Sequence, residues 1–131
     1  MDHRELALAL AADRSLKPLD LRLALALMYF LDYENRLPVS QAEIARQFDF
    51  DQSRLNKALK RLCEIGLILD EGTGPGGHKM LRFSAAFVWK GKASGHARAY
   101  RADTEVLATK RDALARRRRE KLRAIEGGAG E

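Results

Sequence analysis

The chain has 131 residues, of which 46% are hydrophobic and 32% are charged, and its formal net charge is +6 at pH 7. These values predict one packed domain with extensions, and the positive charge favours a polyanionic partner. Cys63 is the single cysteine, which excludes an internal disulfide bond and fits a reducing, cytoplasmic compartment. The sequence contains no recognisable signal peptide and no apolar run long enough to span a bilayer, so we expect no membrane partner.

The excess positive charge is concentrated near the C-terminus. Residues 1–92 contain 14 Lys and Arg against 12 Asp and Glu, whereas residues 93–131 contain 10 against 6. We therefore expect a nearly neutral domain over residues 1–92. Residues 93–131 are expected to form a basic helical tail that is partly disordered.

The N-terminal part of the chain is rich in Leu and Ala. Residues 2–13 predict a short helix because alanine and leucine favour it. A stronger helix is expected over residues 19–34, with Pro18 in its first turn and apolar residues on nearly all sides. Residues 37–39 then predict a short extended piece.

Residues 40–66 predict two separately capped helices joined by a tight turn. Ser40 lies three residues before Glu43, which is the spacing of a capping box. Asp51 is a favourable N-cap for the second helix, and Asp49 tolerates the left-handed backbone that can end the first. This combination is typical of a helix-turn-helix.

The second of these helices has two distinct faces. Leu55, Ala58, Leu59 and Leu62 recur at helical spacing and predict a core-facing side. The opposite side mixes short polar and long cationic side chains, which suit a DNA major groove because they can bond to guanine, adenine and phosphate. The expected DNA contacts there are Gln52, Ser53, Arg54, Asn56, Lys57, Lys60 and Arg61. Gln41 and Arg46 are the expected contacts on the helix before the turn. An ordinary solvated helix face is the alternative interpretation.

A glycine-rich segment follows, between two short apolar runs. Residues 67–69 and 80–83 predict strands, and the segment EGTGPGGHK between them is too rich in glycine to be helical. The order of elements is that of a mainly α fold with a small β-hairpin, a winged helix-turn-helix with an N-terminal helix and a long C-terminal basic helix. Thr73, His78 and Lys79 are candidate DNA contacts in this wing, although the loop can also merely connect two strands.

The remaining motifs give no support for catalysis. The glycines of the loop match GxGxxG, but a strand follows where a dinucleotide site needs a helix. The three histidines are scattered without metal-ligand spacing. No nucleophile is paired with a base. We therefore expect neither an enzyme, nor a metal site, nor a small-molecule cofactor.

The C-terminal tail has a helix-favouring composition over residues 97–125. Its cationic block consists of Arg116, Arg117, Arg118 and Arg119, which are candidate phosphate contacts. A solvated surface is the alternative interpretation. Leu107 and Leu114 begin a weak heptad that Arg118 interrupts.

The segment EIARQFDFDQSRLNKALKRLCEIGLI resembles bacterial winged helices. The wing followed by RFSAAFVWKGK is similar to plasmid replication proteins of the RepL type. Trp89, Lys90 and Gly91 match the ending of that family's motif, whereas Ser84 and Ala85 stand where the family has Asn-Pro. The resemblance implies sequence-specific binding of double-stranded DNA at an origin in plasmid or phage replication or maintenance, with no catalytic residues.

Other functions remain open from the sequence. A winged helix can also be a transcriptional repressor, or a non-catalytic protein-interaction module that uses the first helix and the tail. RNA binding through the arginine block is a third possibility. We expect a homodimer, because two half-sites increase the affinity and specificity of a small DNA reader.

Overall fold

The computed structural model describes residues 4–38, 40–74, 77, 79–91 and 93–129. The fold is mainly helical with a small antiparallel sheet, as the sequence predicts. The helices are α1 (Arg4–Ala12), α2 (Pro18–Tyr29), α3 (Gln41–Gln47), α4 (Gln52–Glu64) and α5 (Ala93–Ala129), and the strands are β1 (Arg36–Leu37), β2 (Ile68–Thr73) and β3 (Lys79–Phe83). None of the helices in the described ranges combines the length and apolarity needed to cross a lipid bilayer.

The end of α2 differs from the sequence prediction. The helix ends at Tyr29 and not at residue 34, because the chain turns through a short 3-10 segment, Tyr33–Asn35. Glu34 and Asn35 have left-handed backbone angles there, with φ of 57° and 62°. An α-helix cannot continue through two such residues.

Hydrogen bonds made by the Asn35 side chain stabilise this turn. Its side chain is fully buried and donates to the carbonyl oxygens of Phe83 and Val88 at 3.1 and 2.6 Å. Its Oδ1 accepts from the backbone N–H of Lys90 at 2.8 Å. The turn is therefore stabilised by the chain that follows β3, far away in sequence, because a buried amide needs such partners.

Ser40 and Asp51 are the N-caps of α3 and α4, as the sequence predicts, whereas the Glu43 carboxylate lies near Arg46 and does not complete the predicted capping box. The Ser40 hydroxyl accepts from the Glu43 N–H at 3.2 Å, and the Asp51 carboxylate accepts from the Ser53 N–H at 3.0 Å. Asp49 has a φ of 54°, so the left-handed residue between the two helices is also confirmed. These bonds satisfy N–H groups that have no partner inside the helix.

A buried ion pair fixes how α4 lies against α2. Asp20 of α2 is fully buried, and its two oxygens accept from Nε and Nη2 of Arg61 at 2.7 Å each. Hydrogen bonding to Asp20 raises the pKa of Arg61 above its ordinary value, so the guanidinium stays charged. The inner side of α4, formed by Leu55, Ala58 and Leu62, then packs in the core.

The three strands are ordered β1-β3-β2 and pair antiparallel. Arg36 lies opposite Arg82, and Ile68 lies opposite Phe83. The predicted strand at residues 67–69 becomes the longer β2, and the extended piece predicted at 37–39 contributes β1. Val39 lies outside the described residues.

Helix α5 is anchored to the sheet by Asp103. The carboxylate of Asp103 is buried and accepts from Nη1 and Nη2 of Arg82 at 2.9 and 2.6 Å. It also accepts from the Ala85 N–H at 2.6 Å. Burial disfavours the charged form of Arg82, but the hydrogen bonds and charge of Asp103 outweigh it, and the pKa of Arg82 is raised.

A second contact holds α5 one turn further along. Gly66 has a φ of +83°, and a Cβ at this position would lie 2.9 Å from Cδ1 of Leu107. Only glycine combines that backbone angle with so close an approach. The part of α5 around Asp103 and Leu107 is therefore packed on the domain and is not a detached tail.

We predict that Asp103→Ala lowers the free energy of unfolding by about 3–5 kcal/mol, because it leaves the Arg82 guanidinium without its buried partner. Urea denaturation measures this change. The matched control is Asp112→Ala, which removes the same charge at an exposed position of α5 and should change stability by less than about 0.5 kcal/mol. Equal effects of the two substitutions would contradict the anchoring role.

Candidate nucleic-acid interface

Six of the seven residues predicted on α4 form one exposed surface. We call this surface the outer face of α4; its residues are Gln52, Ser53, Arg54, Asn56, Lys57 and Lys60. Every one of them is exposed, because the leucines and alanines between them are drawn into the core. The face therefore presents an amide, a hydroxyl and cations side by side, which are groups able to bond to base edges and phosphates.

Arg61 is the exception. Its guanidinium is bound to Asp20 on the side of α4 that faces α2. A side chain that neutralises a buried carboxylate is not available to a ligand on the outer face. The sequence gives no sign of this, because the partner lies 41 residues away.

Several of the other predicted cations lie near acids, but these pairs are weak. The guanidinium of Arg46 on α3 lies 3.7 Å from Glu43, and that of Arg54 lies 3.9 Å from Asp51. Both pairs are exposed, and exposed ion pairs of this length contribute little free energy, so a phosphate can replace the carboxylate. Lys57 and Lys60 have no carboxylate within ion-pair distance among the residues that the structure describes.

A groove of about 640 Å³ joins the outer face of α4 to four other elements. We call it the central groove. It is lined by Gln41 of α3, by Asn56, Leu59, Lys60 and Cys63 of α4, by Asp70 of β2, by Lys79 and Leu81 of β3, and by Lys110 of α5.

The central groove has an excess of positive charge. Lys60, Lys79 and Lys110 reach it from three different elements, and Asp70 is the one carboxylate among its lining residues. The Lys79 ammonium lies 4.0 Å from Asp70, and Lys110 has no ion pair within the described ranges. Three convergent ammonium groups attract an anion such as a backbone phosphate.

The predicted wing residues lie on the hairpin formed by β2 and β3. Thr73 is exposed at the end of β2 and pairs in register with Lys79 at the start of β3. Of these two residues, Lys79 lines the central groove, whereas Thr73 does not. His78 lies outside the described residues.

Cys63 lies half-buried in the wall of the central groove. Burial raises the pKa of its thiol above the ordinary value. A thiol of this kind stays protonated near neutral pH and is a poor nucleophile. The groove therefore offers charge and hydrogen bonds to a ligand, not a reactive group.

The four tail arginines do not face one direction. All four are exposed, and Arg118 also lines a separate groove of about 550 Å³ between α5 and α1. Glu5 and Asp13 of α1 line the same groove. The cationic block predicted from the sequence is thus divided between two surfaces.

Lys110 is the functional candidate that the sequence analysis missed. It is one lysine on a long basic helix, and helical periodicity alone does not say which side of that helix meets the domain. The buried contacts of Asp103 and Leu107 settle this, because they lie seven and three residues earlier on neighbouring sides of α5. A buried aspartate in a basic helix is the signal that points to such an anchor.

The residues that the structure describes contain no group of three or more His, Cys, Asp or Glu arranged to hold a metal ion. No protein-family model, no curated protein and no solved structure matches the chain.

We predict that Arg61→Ala lowers the melting temperature by about 5 °C or more, because it leaves the Asp20 carboxylate buried and unpaired. Lys60→Ala, one residue earlier and exposed, should leave the melting temperature nearly unchanged. Circular dichroism during heating measures both. The assignment fails if the two variants melt alike.

Proposed function

We propose that this chain is a winged helix-turn-helix protein that binds double-stranded DNA in a sequence-specific manner. The observation that carries the proposal is the central groove, where candidate contacts from α3, α4 and β3 meet a lysine of α5. Separate predictions from three stretches of sequence thus converge on one positively charged surface. A polyanion with exposed base edges fits this surface because three lysines converge in the groove and the outer face of α4 beside it carries groups that can bond to base edges.

In this proposal α4 lies in the major groove, which is about 12 Å wide and accepts an α-helix. The Asn56 amide pairs with adenine, and Arg54 and Lys57 donate to guanine or to phosphate. Lys60 and Lys79 hold the backbone beside the reading helix. Phosphate contacts of this kind set the register of the protein on the duplex, and base contacts supply the specificity.

The contacts outside α4 have supporting roles. Gln41 and Arg46 of α3 bond to the phosphates where that helix crosses the backbone. The hairpin acts as the wing, and we propose Thr73, His78 and Lys79, the residues predicted from the sequence, as its contacts with a phosphate or the minor groove.

Selecting bound duplexes from a random pool tests the proposal. A sequence-specific reader enriches one motif, and its affinity for that motif exceeds its affinity for a scrambled duplex by about 10³-fold or more. Recovery of unrelated sequences with equal, weak affinity contradicts sequence-specific reading.

Among the biological roles, we propose origin binding in plasmid or phage replication or maintenance. The support is the Trp89-Lys90-Gly91 ending, which resembles RepL-type replication proteins. The alternative is a transcriptional repressor of the winged-helix type. A plasmid whose only origin carries the selected motif distinguishes the two roles. Dependence of its copy number on this protein supports replication, and repression of an adjacent promoter without such dependence supports transcriptional control.

We predict that Lys57→Ala and Lys60→Ala each weaken binding to the selected duplex and lower the salt slope of the binding constant by about one. Fluorescence anisotropy at several salt concentrations measures both quantities. Arg14→Ala, which removes an exposed charge remote in sequence from α3, α4 and the hairpin, is the control and should change neither. If both lysine variants bind as the wild type does, α4 is not the reader.

We further propose that the protein is a homodimer that uses α1 and α5. The support is the exposure of large apolar side chains on these two helices: Leu8 is 64% exposed, Leu122 is 58% and Ile125 is 60%. Burial of these side chains against a second copy would remove apolar surface from water, which favours association. In a symmetric pair, each copy would contribute the same surface.

We predict that Leu122→Asp together with Ile125→Asp converts the dimer to a monomer, because a charge cannot be buried in an apolar interface. Light scattering measures the mass in solution. A variant lacking residues 1–15 tests the contribution of α1 separately. An unchanged dimer mass in both variants would contradict this interface.

A protein-interaction module is the second candidate function. Leu25 and Tyr29, one turn apart on α2, are 62% and 70% exposed and form an apolar patch. A tight protein partner captured through this patch, with duplex affinity no higher than the non-specific level, would favour this function over DNA binding.

A further inference from the structure

The positive charges of α5 are divided by the helix geometry into separate faces. The helix runs without interruption over 37 residues, so each residue is turned by about 100° from the one before it. Lys110, Arg117 and Lys121 then fall within about 40° of one another. Arg119 and Arg123 project from the other side of the helix, about 140–180° from Lys110, so the phosphate contact that the sequence predicts for Arg119 is not part of this proposal.

The direction of this first face is fixed by the packing of α5. Lys110 lines the central groove together with Lys60 and Lys79. Arg117 and Lys121, both exposed, continue the line of Lys110 along α5 toward its C-terminal end. We call Lys110, Arg117 and Lys121 the α5 stripe.

The stripe is free to receive an anion. In the part of the chain that the structure describes, none of its three members has a carboxylate within ion-pair distance. Arg118 points away from this line, into the groove that it shares with Glu5 and Asp13 of α1. The stripe is therefore a row of unneutralised cations that begins in the central groove.

We propose that the α5 stripe binds the phosphate backbone of the same duplex that α4 reads, and so lengthens the bound site on one side. This inference rests on the proposed DNA-binding function. From Lys110 to Lys121 the helix rises about 16 Å. With base pairs 3.4 Å apart, the stripe spans at most about five additional base pairs. It adds affinity and salt dependence there, and no sequence preference.

Two double variants of equal charge test the stripe. Arg117→Ala with Lys121→Ala removes two cations from it, and Arg119→Ala with Arg123→Ala removes two cations, at the same four-residue spacing, from the opposite face. Alanine favours helix, and all four positions are exposed, so both variants should fold as the wild type does. Far-ultraviolet circular dichroism and light scattering check this directly.

The binding constant is measured at several salt concentrations. The duplex contains the enriched motif and about ten further base pairs on each side of it. In a plot of the logarithm of the binding constant against the logarithm of the salt concentration, the slope for the stripe variant should be smaller by about two than that for the wild type. The opposite-face variant should have the wild-type slope. Removing the flanking base pairs next to the stripe should lower the wild-type slope by the same amount and have no effect on the stripe variant.

Equal losses for both double variants, or no loss for either while the wild type still binds the motif, would overturn the stripe and leave the proposed function standing. A wild type that binds no duplex would overturn both. A stripe variant that loses affinity for single-stranded RNA of the same length, while it keeps duplex affinity, would assign this face to RNA and overturn the proposal.

Discussion

The placement of α5 depends on one buried carboxylate, that of Asp103. Removing a charged side chain from water costs free energy. Asp103 and Arg82 offset this cost because each provides the other with an opposite charge and two hydrogen bonds. The same carboxylate accepts the N–H of Ala85, so it joins α5 to β3 and to the segment that follows it. This bond fixes the rotation of α5 about its axis, and that rotation brings Lys110 to the central groove.

A second buried carboxylate does the same for α4. Asp20 takes the Arg61 guanidinium and holds the helix so that Asn56, Lys57 and Lys60 face outward. Arg61 and Arg82, which are paired with buried aspartates, position helices. Lys57, Lys60 and Lys110 have no ion pair among the described residues and remain available for a polyanion. Cations in buried ion pairs are not available to a ligand. A candidate binding surface must therefore be identified from the exposed cations that remain.

The features predicted correctly from the sequence are those set by local chemistry. The caps at Ser40 and Asp51 and the left-handed Asp49 each involve residues a few positions apart. The features that could not be predicted depend on distant partners. Helix α2 ends early because Asn35 bonds to a carbonyl 48 residues away, and Lys110 reaches the groove because Asp103 anchors its helix. Helical periodicity shows which residues share a face, but it does not show which face packs against the domain.

We propose that the outer face of α4 reads a duplex together with the central groove. Amide chemical shifts recorded during titration with the selected duplex test this proposal residue by residue. We expect the largest changes in residues 52–60, further changes at Gln41, Lys79 and Lys110, and small changes in α1. Changes confined to α1 and α2, with residues 52–60 unaffected at saturating duplex, would contradict it.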